Sequence, residues 1–135
     1  MTATPSTIHP APLARLASRL VLAIGAVTGL ALLLVGDSFQ SYDIAVFSLV
    51  LSAIHVAPWI VAWAFVRDSR RPRVAITAAG LAAIGQFALM ASAYAALDDD
   101  AQGGLVFVFV TPIGSAALAV MAALAARMPV PGRRR

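Results

Sequence analysis

One ionisable side chain lies deep within the long apolar segments of this sequence, and it is a histidine. His55 is near the centre of the uncharged stretch from Ile44 to Val66, and Ser52 precedes it by one helical turn. A hydroxyl and an imidazole at this spacing are the residue types of a nucleophile and its base. No carboxylate lies at that depth to orient the imidazole. We therefore expect no catalytic site and no enzymatic activity.

Polar side chains also interrupt the other apolar segments near mid-depth. With His55 they form a candidate polar midplane site of Ser52, Gln86, Thr28 and Ser115. Polar groups are costly in hydrocarbon, so they mark either interhelical hydrogen bonds or the path of a polar solute. His55 and Gln86 are each central in their own segments, and we expect these two side chains to meet. Their structural interpretation is a hydrogen bond that fixes helix register; the functional one is a relay or binding site.

The sequence offers few groups for a metal ion or a cofactor. It has no cysteine, which excludes disulfides and thiolate metal sites. His9 is the only other histidine and falls in a predicted tail, so a pair of haem ligands is not expected. The three aspartates from Asp98 to Asp100 have no further ligands beside them and are typical of a solvated turn. We expect neither a metal nor a cofactor.

Membrane-spanning helices must position these side chains. Hydrophobic residues make up 61% of the 135 residues and charged residues 12%, about half the charged fraction of a soluble domain. The apolar runs approach or exceed the roughly 20 residues that cross a bilayer as a helix. We predict a transmembrane domain over 14–127, with spans at about 14–36, 44–66, 74–97 and 105–127. Residues 1–13 are predicted to be a disordered cytoplasmic tail, and 128–135 a basic cytoplasmic tail.

The charges predict how these spans are oriented. All ten arginines fall on one side of the spans, and five of the six aspartates fall on the other. Arginine-rich loops face the cytoplasm. The fold class is therefore predicted as an all-α integral membrane protein, a four-helix transmembrane bundle, up-down-up-down, with both termini cytoplasmic. Short loops predict that sequential helices are antiparallel neighbours.

The same charges indicate the surroundings of the protein. The Arg-rich face is expected to contact anionic lipid headgroups, and no nucleic-acid partner is expected. The absence of lysine beside many arginines and alanines is typical of a GC-rich bacterial genome. We therefore place the protein in the bacterial cytoplasmic (inner) membrane. Arg15 and Arg19 before an apolar run also match a cleavable signal peptide, and the sequence leaves this alternative open.

Small residues at helical spacing predict the faces through which the spans pack. Span one contains the GxxxG pair Gly25 and Gly29. The other predicted packing residues are Ala78, Ala82 and Gly85 of span three and Ala119 of span four, which continues a stripe of Ser115, Ala122 and Ala126. On span two the predicted inward stripe is Ala45, Ser48, Ser52, His55, Trp59 and Ala62. Leu51 is placed on the lipid-facing side of that span.

Two prolines lie inside the predicted spans. Pro58 and Pro112 each lack an amide donor and free the carbonyl group four residues earlier, at Ile54 and Val108. We predict kinks near both prolines. The carbonyl of Ile54 neighbours His55, so it is a candidate for the same polar pocket.

These features favour a function in helix–helix interaction. The prediction is an accessory, regulatory or immunity-type partner of a membrane complex, with a membrane protein or further copies of the chain as its partner. The alternative is a small oligomeric transporter or channel in which His55 and Gln86 line a polar path. Four spans are few for a pathway within one chain, so oligomerisation would have to supply it.

Overall fold

The computed structural model describes residues 10–35, 41–99 and 106–129, and these residues are almost entirely helical. The helices are α1 (Pro10–Val35), α2 (Tyr42–Val66), α3 (Pro72–Asp99) and α4 (Thr111–Arg127), and a π-helical turn, Val106–Val110, leads directly into α4. Four helices are long and apolar enough to cross a membrane. The all-α class and the number of candidate spans are therefore confirmed.

The helix ends follow from local sequence signals. α1 begins at Pro10, which lies within the segment predicted as a disordered tail. Proline is tolerated in the first turn of a helix, where an amide donor would have no partner within the helix. The Ser41 hydroxyl accepts a hydrogen bond from the Ile44 amide at 3.4 Å and caps α2, with Asp43 in the first turn. Residues 1–9 and 130–135 of the predicted tails lie beyond the described residues, as do residues 36–40 and 100–105 between the helices.

The helices pack in an order that differs from the predicted one. α1 packs on α2 and α3, and α4 packs on the same two helices. The expectation that sequential spans two and three are neighbours is therefore wrong, because α2 and α3 occupy opposite corners of the bundle. The turn Arg67–Arg71 connects them over the end of α4, where Ser69 Oγ donates to the Ala126 carbonyl oxygen at 2.9 Å. Five residues span at most about 17 Å, an upper limit that exceeds the diagonal of about 14 Å between helices packed roughly 10 Å apart.

Close helix contact depends on small side chains in the core. The core is mostly alanine and includes Ala17, Ala62, Ala75, Ala79, Ala82, Ala119, Ala122 and Ala126, together with Val21, Ile24, Trp59 and Val66. Cβ atoms added to Gly25 and Gly29 would lie 2.9 Å from Trp59 Cβ and 2.6 Å from Val56 Cγ2. The GxxxG pair thus packs against α2 of the same chain.

The buried faces match the predicted stripes on two helices and differ on a third. On α2 the buried residues are Ser48, Leu51, Ser52, His55, Trp59, Ala62 and Val66. Leu51 was thus wrongly assigned to lipid, and Ala45 is only half-buried. On α4 the buried residues are Thr111, Ser115, Ala119, Ala122 and Ala126.

On α3 the buried stripe is centred one residue away from the predicted one. It consists of Ala75, Ala79, Ala82, Gln86 and Ala93. Ala78 and Gly85 are half-buried beside it, and a Cβ on Gly85 would lie 2.9 Å from Leu118 Cδ2 of α4. The shift arises because α3 contacts both α1 and α4, so its most buried line lies between the two interfaces.

Candidate functional site

A belt of buried polar side chains links every pair of neighbouring helices in the bundle. This polar belt consists of Thr28, Ser52, His55, Gln86, Thr111 and Ser115. Each member is at most 8% exposed, and each of the four helix interfaces contains one of the belt's hydrogen bonds. The bonds therefore form a ring that passes from α1 through α2, α4 and α3 back to α1.

His55 supplies the bond between α2 and α4. Its Nδ1 lies 2.8 Å from the Leu51 carbonyl oxygen, and its Nε2 lies 2.8 Å from Thr111 Oγ1. Because a carbonyl oxygen only accepts, Nδ1 carries a proton, and in a neutral ring Nε2 accepts from the threonine hydroxyl. The imidazole is fully buried. Both of its nitrogens are therefore occupied by protein groups inside the bundle.

Gln86 joins α3 to two other helices. Its Nε2 donates to Thr28 Oγ1 on α1 at 3.3 Å, and its Oε1 accepts from Ser115 Oγ on α4 at 2.9 Å. The expected meeting of Gln86 with His55 is not found, because each residue bonds to other partners. The reason is the diagonal placement of α2 and α3, which directs each of these polar side chains to a helix beside its own.

Ser52 is directed away from the imidazole. Its hydroxyl donates to the Gly29 carbonyl oxygen at 3.1 Å. A serine nucleophile would instead bond to the base that activates it. The absence of a side chain on Gly29 lets α1 approach closely enough for this contact, so Ser52 links two helices.

Thr111 is the one belt residue outside the predicted polar midplane site. It is fully buried and stands four residues before Ser115 on α4. Residues four apart lie on the same face of a helix. The polar and small stripe through Ser115 and Ala119 therefore extends back to Thr111, and this spacing alone was a sufficient signal.

The two prolines have different structural settings. Pro112 is the second residue of α4, which follows the π-helical turn Val106–Val110. The first turn of a helix tolerates a residue without an amide donor, such as proline. The π-helical turn is wider than an α-helical one and adds a residue immediately before Thr111. Pro58 lies within the continuous helix α2. The carbonyl that bonds to His55 is that of Leu51. The kinks near both prolines stay predictions.

Two half-open grooves run along the outside of the bundle. The first, between α1 and α3, encloses about 510 Å³ and is lined by uncharged residues, with Thr28 and Gln86 at its floor. The second, between α2 and α4, encloses about 520 Å³ and has one charged lining residue, Arg127. We refer to them as the α1/α3 groove and the α2/α4 groove. Each groove is a concave, largely apolar surface of the described part of the chain.

Arginines gather at one end of the bundle. The Arg67 guanidinium lies 5.2 Å from the centroid of the Trp63 ring, and that of Arg127 lies 5.1 Å from the Phe65 ring centroid. The Ser69 bond holds the basic turn against the end of α4. The arginines of two separate chain segments therefore form one basic surface.

The described residues contain no candidate metal site, and the comparisons with known proteins give no match. Within residues 10–35, 41–99 and 106–129, no group of three metal-ligating side chains is close enough to hold an ion. Compared with known protein families, curated proteins and solved structures, the chain matches none.

Proposed function

We propose that this protein is a non-enzymatic membrane protein that acts by binding a transmembrane helix of a partner. It would serve as an accessory, regulatory or immunity-type subunit of a membrane complex. The observation that carries the proposal is the α1/α3 groove on the outside of the bundle. It is lined by uncharged residues and encloses about 510 Å³. The proposed location is the bacterial cytoplasmic membrane, with both termini in the cytoplasm.

The polar belt supports a structural use of the buried polar groups. His55 and Gln86 each make two hydrogen bonds within the bundle. A relay or conduction path requires groups that exchange partners with water or substrate. Belt residues that bond to one another instead fix the register of neighbouring helices, as interhelical hydrogen bonds do in membranes.

The lining of the α1/α3 groove fits a helix. Ala23 and Ala31 of α1 face the groove, as do Ala83 and Ala91 of α3. Small residues permit the close backbone approach on which helix association in lipid depends. Phe87 lies between the two α3 alanines in sequence and is 76% exposed, so it offers a large apolar side chain to a partner.

The groove also lacks a feature expected of a lipid site. An anionic phospholipid is recognised by basic groups near its phosphate, and none of the described residues that line the α1/α3 groove is charged. A hydrophobic transmembrane helix needs no such group. The groove chemistry therefore favours a protein helix as the occupant.

The test is purification of the tagged protein in native lipid, followed by mass spectrometry of the intact assembly. We expect one stoichiometric membrane protein to accompany the wild type and to be lost from Phe87→Ala. Phe47→Ala is the matched control, because Phe47 is a 54% exposed phenylalanine on α2 that lines neither groove. Equal recovery of the partner with both variants would contradict the proposed surface.

A small oligomeric transporter remains the second candidate, for one reason. The Thr28–Gln86 bond forms the floor of the α1/α3 groove, so two copies that met there would place these groups on both sides of their interface. A homo-oligomer without other proteins, together with solute flux that is lost in Gln86→Leu, would favour the transporter over the accessory subunit.

A further inference from the structure

The α2/α4 groove ends at a positive charge. Its walls are apolar, and Arg127, the last residue of α4, is the one charged residue among the described residues that line the groove. From Ala119 to Arg127 the α4 wall is about 12 Å long at 1.5 Å per residue. An apolar channel of this length with a guanidinium at one end has the chemistry of an amphiphile site.

The Arg127 side chain lies over a neighbouring aromatic ring. Its guanidinium carbon lies 5.1 Å from the Phe65 ring centroid, within the range of a cation–π contact. A planar guanidinium presents a fork of N–H donors that matches the oxygens of a phosphate group. The cation is therefore held beside the groove mouth with donor groups suited to a phosphate.

The surrounding charge is also positive. The bond from Ser69 to the Ala126 carbonyl places the turn with Arg70 and Arg71 against the end of α4. Arg67 in the same turn lies 3.3 Å from the Asp68 carboxylate, so Arg70, Arg71 and Arg127 give the excess positive charge here. Clustered arginines beside a bilayer attract anionic headgroups.

We propose that the α2/α4 groove binds one anionic glycerophospholipid, with its phosphate on Arg127 and an acyl chain along the groove toward Pro58. The proposal requires that the helices span a membrane, and it is independent of any protein partner in the α1/α3 groove. The contrast between the two grooves supports the choice, because only the α2/α4 groove combines an apolar channel with a cation in its lining. The bound lipid would fill the gap between α2 and α4 beside the His55–Thr111 contact.

The test uses the full-length protein in nanodiscs that contain equal amounts of phosphatidylglycerol and phosphatidylcholine. Native mass spectrometry of the released protein then reports the retained lipids. We expect one phosphatidylglycerol to be retained in preference to phosphatidylcholine. In Arg127→Gln its occupancy should fall about fivefold or more, since one arginine near the membrane surface contributes about a factor of five.

Matched variants separate the two parts of the proposed site. Val120→Trp, which fills the groove, should lose the lipid, whereas Val50→Trp should retain it, because these valines are 54% and 53% exposed and Val50 lies outside the groove. Arg73→Gln makes the same charge change at an exposed site on α3 and should also retain the lipid. Circular dichroism verifies that each variant is folded.

Three results would overturn the proposal. Equal losses from Arg127→Gln and Arg73→Gln would show general attraction of the basic surface and no specific site. Equal retention of both lipids by the wild type would show that the groove does not select anionic lipid. Displacement of the bound lipid by soluble glycerol phosphate would show that the phosphate alone is the ligand and the groove is not used.

Discussion

At the scale of single residues, His55 illustrates how this helical bundle holds an ionisable group without exposing it. The ring donates to the Leu51 carbonyl and accepts from Thr111, and it is fully buried. The first bond lies within one turn of α2, and the second joins α2 to α4. This arrangement is that of a register-fixing contact, which a neutral amide side chain can imitate.

Replacement of His55 should therefore distinguish packing from proton transfer. We expect His55→Gln to retain both stability and partner binding, because its carboxamide can bond to Thr111. His55→Leu should lower the free energy of unfolding by about 0.6 kcal/mol, the average for interhelical hydrogen bonds in membranes, and by no more than about 1.7 kcal/mol, their maximum. Denaturation in mixed micelles measures this change.

The pH dependence supplies the control for that experiment. Partner binding by the wild type and His55→Gln should agree between about pH 5 and pH 8, the range in which imidazoles usually titrate. A folded His55→Gln protein that has lost solute transport would instead favour a relay through the imidazole.

At the scale of the helices, glycine positions decide how closely the elements pack. Cβ atoms on Gly29 and Gly114 would each lie 2.6 Å from a neighbouring side chain, Val56 on α2 and Leu89 on α3 respectively. Val56 is β-branched and stiff at χ1, whereas the affected Leu89 atom is the end of a flexible side chain. A Cβ on Gly80 would meet nothing within 4 Å.

Alanine substitutions at these glycines should consequently differ in their cost. Gly29→Ala is expected to lower the free energy of unfolding by about 1 to 3 kcal/mol, as overpacking does, and to disturb the Ser52 bond to the Gly29 carbonyl. Gly114→Ala should cost less, and Gly80→Ala should raise the free energy of unfolding by about 0.5 to 1 kcal/mol, because alanine loses less backbone entropy than glycine in a helix interior. Unfolding in mixed micelles gives all three values, and equal costs at Gly29 and Gly80 would contradict the tight α1–α2 contact.

At the scale of the whole molecule, the basic surface defines one end of the bundle. Arg127 of α4 and the turn from Arg67 to Arg71 are held together by the Ser69 bond. The predicted orientation places this end in the cytoplasm, since arginine-rich loops are retained there. The other prediction at this scale is the helix-binding face along α1 and α3.

The absence of cysteine makes the orientation directly measurable. Tyr42, 83% exposed at the start of α2, and Arg70 in the basic turn are suitable positions for single cysteines. With the termini in the cytoplasm, an impermeant maleimide should label Tyr42→Cys in intact bacterial cells and Arg70→Cys only after permeabilisation. The reverse labelling would show that the predicted orientation is inverted.

The sequence by itself determined the helical class, the four candidate spans and most of the buried stripes of α2 and α4. It did so because long apolar runs and helical periodicity are local properties, readable along one segment at a time. It also selected five of the six polar-belt residues, since a polar side chain in an apolar segment stands out without knowledge of its partners.

Only the tertiary structure decided which of those polar residues meet. His55 bonds to Thr111 and Gln86 bonds to Thr28 and Ser115, because α2 and α3 lie on a diagonal. Short connections predicted neighbouring helices, but the turn from Arg67 to Arg71 is long enough to cross over α4. The order of helices around a bundle depends on how all the faces fit together, and a single segment does not contain that information.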